Sequence, residues 1–341
     1  MTQAGTTPRL AITLGDPAGI GPEIVVKALV ATRHLAYQPL LVGSRKAAER
    51  AAEAAGLDLR LVEADAPLED GDAGATLRVA ISPGDAAGEV PVGVESPEGG
   101  ESAWQAIQSA TSMCLDGRTD AMVTAPLNKL ALEMAGRGST GHTEILQELT
   151  SSPWSLTMFV LDELRALFYS RHLSLRDAID GITADGIVTV LQRFASVAPS
   201  IGLDRPRIAV AAVNPHGGEA GLFGREEIDH IQPAVLRARS AGMDVSGPVP
   251  ADAVYALARA GRYDVVLGMY HDQVAGSLKS IDFHGTVSLT LGLPFLRFSV
   301  DHGTAFDIAG QNRADAGNMI ATIERTVRFL GSPDRGGARR M

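Results

Sequence analysis

Three of the eight histidines, His172, His216 and His271, each stand just behind an apolar run that reads as a β-strand. A lone histidine in such a place is ordinarily a surface or hydrogen-bonded residue. Three in equivalent places can converge on one crevice, where neutral imidazoles suit zinc, cobalt or nickel. A three-histidine site with an open position polarises a substrate oxygen. Asp272, next to His271, could orient that imidazole, bind substrate or cap a turn. The cations Lys279 and Arg297 lie in the same stretch, Gly268 to Gly310. Arg297 interrupts the apolar run PFLRFSV, so its charge must face a polar pocket or pair with an acid such as Asp301. Arginine suits bidentate recognition of phosphate or carboxylate, and lysine acts as a point charge. His142 and Thr143 open the helix EILQELT, a favourable place for an anion; the plainer reading makes Thr143 or Thr140 a helix cap. Together these residues describe an anionic substrate beside a metal.

The elements that must hold these groups alternate between strand and helix, which predicts an α/β fold with a largely parallel sheet. RLAITL (9–14) is a strand, followed by GDPAGIGPE and the helix start IVVKALV. That order suits an anion at a helix N-terminus, or a tight turn that packs the helix on the strand. It is neither a P-loop nor a clean GxGxxG. QPLLVG, DLRLVEA, ATLRVA and TDAMVTAP read as further strands, with helices at RKAAERAAEAAG, 101–116 and LNKLALEMAG. SLTMFVLD and LRALFYS, turning at Asp162–Glu163, predict an antiparallel hairpin and so a mixed sheet. RIAVAAV leads into NPHGGEAGLFG, whose proline and glycines predict an exposed His216. A helix at 225–241, a strand at MDVSGPV, a helix at ADAVYALARAG and a strand at YDVVLGMY precede His271. VSLTLGLPFLRFSV predicts strand broken at Gly292 and Pro294, and HGTAFDIAG a loop whose glycines let backbone approach a ligand. Residues 65–100 read as a surface excursion. A single two-lobed unit over 1–330 is followed by a flexible tail at 331–341.

A net charge of −10 argues against nucleic acid as a partner, since no basic excess is present. It leaves an anionic small molecule open, because that needs only a local cluster. One cysteine, Cys114, excludes an intramolecular disulfide and a cysteine-based zinc site, and fits a reducing compartment. No apolar run reaches the length of a membrane span, and no signal peptide is evident, so a cytoplasmic protein without membrane contact is expected.

GDPAGIGPE, TAPLNK, GHTE, HLSLRDA, NPHGGEAGLFG, GPVPADA, YHDQ, TLGLPF and VDHGTAFDIAG occur in that order. In this, the chain resembles the 4-hydroxythreonine-4-phosphate dehydrogenase family of vitamin B6 biosynthesis over about residues 9 to 325. The resemblance implies a two-lobed α/β/α protein, similar in fold to isocitrate and isopropylmalate dehydrogenases, with the site between the lobes and shared across a homodimer. It implies NAD(P)-dependent oxidation of a secondary alcohol in a phosphorylated substrate, followed by loss of CO2 from the 3-oxo acid. Position by position, it makes His142, Thr143, Lys279 and Arg297 substrate-binding. It makes His172, His216 and His271 ligands of one divalent metal per subunit (zinc, magnesium or cobalt). It makes Gly303, Thr304, Asp307, Gly310 and Asn312 part of the loop for NAD or NADP. Asp252, Asp272 and Lys279 are the candidate catalytic groups, with either aspartate able to take or relay the hydroxyl proton.

One position departs from the family pattern. Where the biosynthetic enzymes carry a substrate-binding asparagine, in a stretch like VNITLGLPF, this chain has Ser288 in VSLTLGLPF. A side branch of the family oxidises 4-phosphorylated threonate or erythronate in sugar-acid catabolism, and this chain could belong there. Two other classes compete: a metal-dependent hydrolase or aldolase using the three histidines, and a phosphometabolite-binding module. The HGTAFDIAG loop favours the dehydrogenase over the first, and a full set of metal ligands favours an enzyme over the second.

Overall fold

Short runs of Ile, Leu, Val and Ala without polar alternation belong to strands covered on both faces. The computed structural model describes residues 7–57, 60–63, 76–81, 90–138 and 141–331. The described residues within 1–155 and 293–331 form one unit, and those within 156–292 form the other.

The first unit is built on a parallel sheet of β1 (Arg9–Thr13), β2 (Gln38–Gly43), β3 (Arg60–Glu63), β4 (Thr76–Ile81), β5 (Ala121–Thr124) and β12 (Leu296–Ser299). Their order is β3-β4-β2-β1-β5-β12. Parallel neighbours need crossovers, supplied here by α1 (Gly21–Ala31), α2 (Arg45–Ala54) and α3 (Pro97–Leu115). Ala106, Ile107 and Ala110 of α3 pack against Met122, Leu132 of α4 (Lys129–Met134), Ile145 and Leu146 in one apolar core. Each large side chain buried there contributes roughly 1.5–3 kcal/mol. Helix α3 starts four residues before the expected position, at Pro97, because the Ser96 hydroxyl accepts the Gly99 N–H at 3.0 Å. Residues 96–100 are therefore not surface excursion: Ser96, Gly99 and Gly100 are buried. Residues 64–75 and 82–89, and the tail from 332, lie outside the described residues.

Behind β1, the chain turns at Gly15, whose φ of +68° no other residue adopts readily. A side chain there would meet the Pro126 carbonyl at 2.1 Å. Asp16 follows and is fully buried. Its Oδ1 accepts the Ala18 N–H at 2.9 Å, while Oδ2 has no hydrogen-bond partner among the described residues. Burial pushes its pKa from 3.8 up to about 6, opposed by the Ala18 N–H and reinforced by the charge of Glu95. Between those two pH values the folded chain keeps a proton that the unfolded chain has released. Stability therefore falls as pH rises through that window and is level above it. Asp16→Asn should remove the loss, so the variant gains about 2–3 kcal/mol on the parent between pH 4 and pH 8. Urea unfolding at both pH values measures this, and parallel curves for the two proteins would contradict it.

The second unit carries a mixed sheet of β6 (Leu156–Leu161), β7 (Leu164–Phe168), β8 (Ile208–Ala211), β9 (Val245–Val249), β10 (Val265–Gly268) and β11 (Val287–Leu291). The order is β11-β6-β7-β10-β8-β9. The β11/β6 and β6/β7 pairs are antiparallel and the rest are parallel. The expected hairpin turns at Asp162, with φ 50°, and Glu163. Helices α6 (Leu175–Asp180), α7 (Ala184–Val197), α8 (Gln232–Ser240), α9 (Ala251–Arg259) and α10 (His271–Lys279) complete it. The helix expected over 225–241 begins instead with a wider π turn, Glu227–Ile231, which α8 continues. Gly292 separates β11 from β12 as expected. No described helix is long and apolar enough to cross a membrane.

Candidate active site

In the first unit the carboxyl ends of β5 and β12 face the start of helix α5 (His142–Leu149) around a cavity of about 170 Å³. Its lining includes Thr124, Lys129, His142, Arg297 and His302. Ligands of parallel sheets bind in this kind of place. Arg297 is 5% exposed, and its Nε and Nη2 donate to the Thr124 hydroxyl at 3.1 and 2.7 Å. Register accounts for the contact, since Ser299 pairs with Thr124 and Arg297 lies two residues earlier on the same face of β12. The His142 Nε2 is buried with no hydrogen-bond partner among the described residues. Burial, then the Arg297 charge, holds this imidazole well below its usual pKa of 6.5. A fixed guanidinium, a neutral imidazole with an open nitrogen and the Lys129 ammonium make a cradle for an anion. Thr143 is buried in the first turn of α5 but does not cap it; the cap is Gly141, whose N–H the Glu144 carboxylate accepts at 3.1 Å. A glycine with extended backbone takes the cap because Glu144 reaches back to it. Thr140 lies outside the described residues.

In the second unit the three histidines stand behind three adjacent strands: His172 behind β7, His271 behind β10 and His216 behind β8. The His172 and His271 rings lie 6.2 Å apart, centroid to centroid. His271 Nδ1–H donates to Asp272 at 2.7 Å, and His216 Nδ1–H donates to Glu219 at 2.9 Å. A carboxylate only accepts, so each ring carries its proton on Nδ1 and keeps Nε2 for a ligand. This is the usual outer partnership of metal-binding histidine. Imidazoles oriented in this way suit a divalent cation. Among the described residues of one chain, no three His, Cys, Asp or Glu side chains are gathered as a metal cage. Five consecutive residues, His216 to Ala220, have φ between 46° and 81°. Left-handed backbone at His216, Glu219 and Ala220 costs roughly 1–2 kcal/mol each, strain of the sort that collects at functional loops.

Of the remaining expected residues, Lys279 and Ser288 both neighbour Phe159. The Lys279 ammonium stands 5.9 Å from that ring, and Ser288 pairs with Phe159 across β11 and β6. Ser288 is buried. Asp252 is exposed in the first turn of α9, at the carboxyl end of β9. Asp272 is engaged with His271.

The loop from Gly303 to Asn312 packs on the turn after β1: the Ile20 N–H donates to the Thr304 carbonyl at 2.9 Å. Ala309 and Gly310 wall a cavity of about 250 Å³ together with Pro17, Gly19, Glu23 and Arg50. Asp307 and Gly303 are exposed, and Asn312 adopts a left-handed φ of 56°. Thr124, Lys129 and Glu219 were not singled out from sequence. The motifs TAPLNK and NPHGGEAGLFG, which contain them, were the signal.

Residues 36–326 match the family described as pyridoxal phosphate biosynthetic protein PdxA. The D-threonate 4-phosphate dehydrogenase of Salmonella typhimurium is 41% identical over 329 residues, 95% of this chain and 99% of that protein. Its counterpart of the same name in Pectobacterium atrosepticum is 38% identical over 323 residues, 94% and 98% of the two chains. The crystal structure of 4-hydroxythreonine-4-phosphate dehydrogenase from Klebsiella pneumoniae matches with a TM-score of 0.87 at 39% identity, covering 95% of this chain and 99% of that one. With its mixed α/β sheets, its strand-end histidines and a family match over most of its length, the chain belongs to the PdxA family.

Proposed function

We propose that the protein is a metal- and NAD(P)-dependent dehydrogenase. It oxidises the secondary alcohol of a 4-phosphorylated four-carbon hydroxy acid, whose 3-oxo product then loses CO2. The observation that carries this reading is the buried Arg297 beside a neutral His142 with an open Nε2, a cradle for one anionic end of the substrate. The names of the relatives support the substrate class. A divalent cation held by His172, His216 and His271 would supply positive charge for the substrate oxygen, and NAD(P)+ the hydride acceptor.

The chain's own residues divide the remaining work. Arg297, His142, Thr143 and Lys279 bind and orient the phosphate and carboxylate ends. Asp272 holds the His271 ring in one tautomer and is therefore committed to orientation. Asp252 stands at the exit of β9, next to the β8 exit that leads to His216, and we assign it the hydroxyl proton. The active form is read as a homodimer, in keeping with the family and with Leu222 and Phe223, 74% and 51% exposed just beyond His216. The single buried Cys114 is in keeping with a cytoplasmic location.

Ser288 favours a 2-hydroxy over a 2-amino substrate. A serine hydroxyl can donate to or accept from a substrate hydroxyl, whereas an asparagine amide can accept from an ammonium while donating to a carboxylate. The test compares threonate or erythronate 4-phosphate with 4-hydroxythreonine 4-phosphate by reduced-nicotinamide absorbance. The parent should prefer the hydroxy acid, and Ser288→Asn should shift the ratio of kcat/KM toward the amino acid by about tenfold. An unchanged ratio would remove Ser288 from the pocket; no turnover of either substrate would remove the reading.

A further inference from the structure

The three histidine loops leave the sheet where the strand ladders end, and something other than the ladder must fix their spacing. One string of hydrogen bonds joins all three exits. The Ser170 hydroxyl, two residues before His172, donates to the Met269 carbonyl at 2.8 Å. Met269, two residues before His271, donates its N–H to Gln273 Oε1 at 2.7 Å. Gln273 Nε2 donates to the Ala212 carbonyl at 2.7 Å, four residues before His216. Gln273 is 6% exposed, with both ends of its amide engaged. The start of α10 is pressed onto the end of β10 to allow this: a side chain at Gly268 would meet Val274 at 2.4 Å.

We propose that Gln273, with Ser170, is a positioning residue for the divalent cation. It sets the separation of the loops that carry His172, His216 and His271. The proposal rests on the metal-dependent reading above. The residue type follows from the two contacts. A glutamate could accept from Met269 but could not donate to Ala212, and a leucine could do neither; an amide does both. Left without it, the Met269 N–H and the Ala212 carbonyl lose their partners and the exits of β10 and β8 lose their tie.

The test uses the purified full-length protein, stripped of metal and titrated with Co2+ while its visible d–d absorption is followed. Gln273→Glu should weaken Co2+ binding about 10–100-fold, the usual effect of losing an outer support of a metal site. Ser170→Ala should weaken it about tenfold, and Ser170→Thr, which keeps the hydroxyl, should restore it. Leu278→Ala, in the same helix and core but with no bond to the exits, controls for lost stability and should bind Co2+ like the parent. If the parent binds Co2+ and Gln273→Glu and Ser170→Ala bind it equally well, the brace is overturned and the metal reading stands. It is likewise overturned if Leu278→Ala loses as much affinity as Gln273→Glu. Failure of the parent to bind Co2+ overturns both.

Discussion

Arg297→Ala is expected to lower kcat/KM for the phosphorylated hydroxy acid about 10²–10³-fold, with the KM for NAD+ unchanged. The guanidinium lies buried on β12, its fork fixed by Thr124 from the neighbouring strand. It needs no reordering to meet an anion. His142 cannot replace the lost charge, because burial keeps its imidazole neutral. An anionic end brought into that cavity without its cation keeps most of its desolvation penalty, which is where the expected loss arises. Arg297→Lys should recover only part of it, since an ammonium keeps the charge and loses the planar fork. Equal losses for the substrate and for NAD+ would mean that Arg297 supports the fold of the first unit rather than the substrate.

His216→Ala is expected to abolish most metal binding and to lower kcat about 10³-fold or more, while the melting temperature of the metal-free protein stays the same. The side chain is 68% exposed on a loop, so deleting it removes almost no buried apolar surface. Among the described residues its one hydrogen bond is to Glu219, also on the surface. Relief of the left-handed backbone at position 216 does not follow from an alanine, which tolerates that region no better. Metal analysis of the purified variant beside a thermal melt separates the two effects. Full metal content would remove His216 from the ligand set, and a large drop in melting temperature would make its role structural.

Local chemistry made much of the fold readable. The apolar runs gave the strands, and Asp162–Glu163 gave the hairpin. Arg297 could be placed in a polar pocket because a charge within PFLRFSV has few other options. The contacts that support the site were less accessible, because their partners lie far apart in sequence. Thr124 is 173 residues from Arg297, Ser170 is 99 from Met269, and Ala212 is 61 from Gln273. Nothing local tells a buried polar side chain which distant strand end it will meet. The misread cap of α5 has a different cause: Thr143 and Gly141 compete for one position, and the winner depends on Glu144 reaching back. The buried start of α3 was missed because Gly99 and Gly100 look like loop residues. They serve close packing instead, with the Ala131 carbonyl only 2.0 Å from where a Gly100 side chain would begin.

The most direct test of the account measures NAD(P)H and CO2 together, with purified protein, a divalent ion and threonate or erythronate 4-phosphate. Oxidation of the alcohol followed by loss of the neighbouring carboxyl predicts equal molar amounts of the two products, and neither product from the unphosphorylated acid. NAD(P)H without CO2, or equal turnover of the unphosphorylated acid, would contradict it.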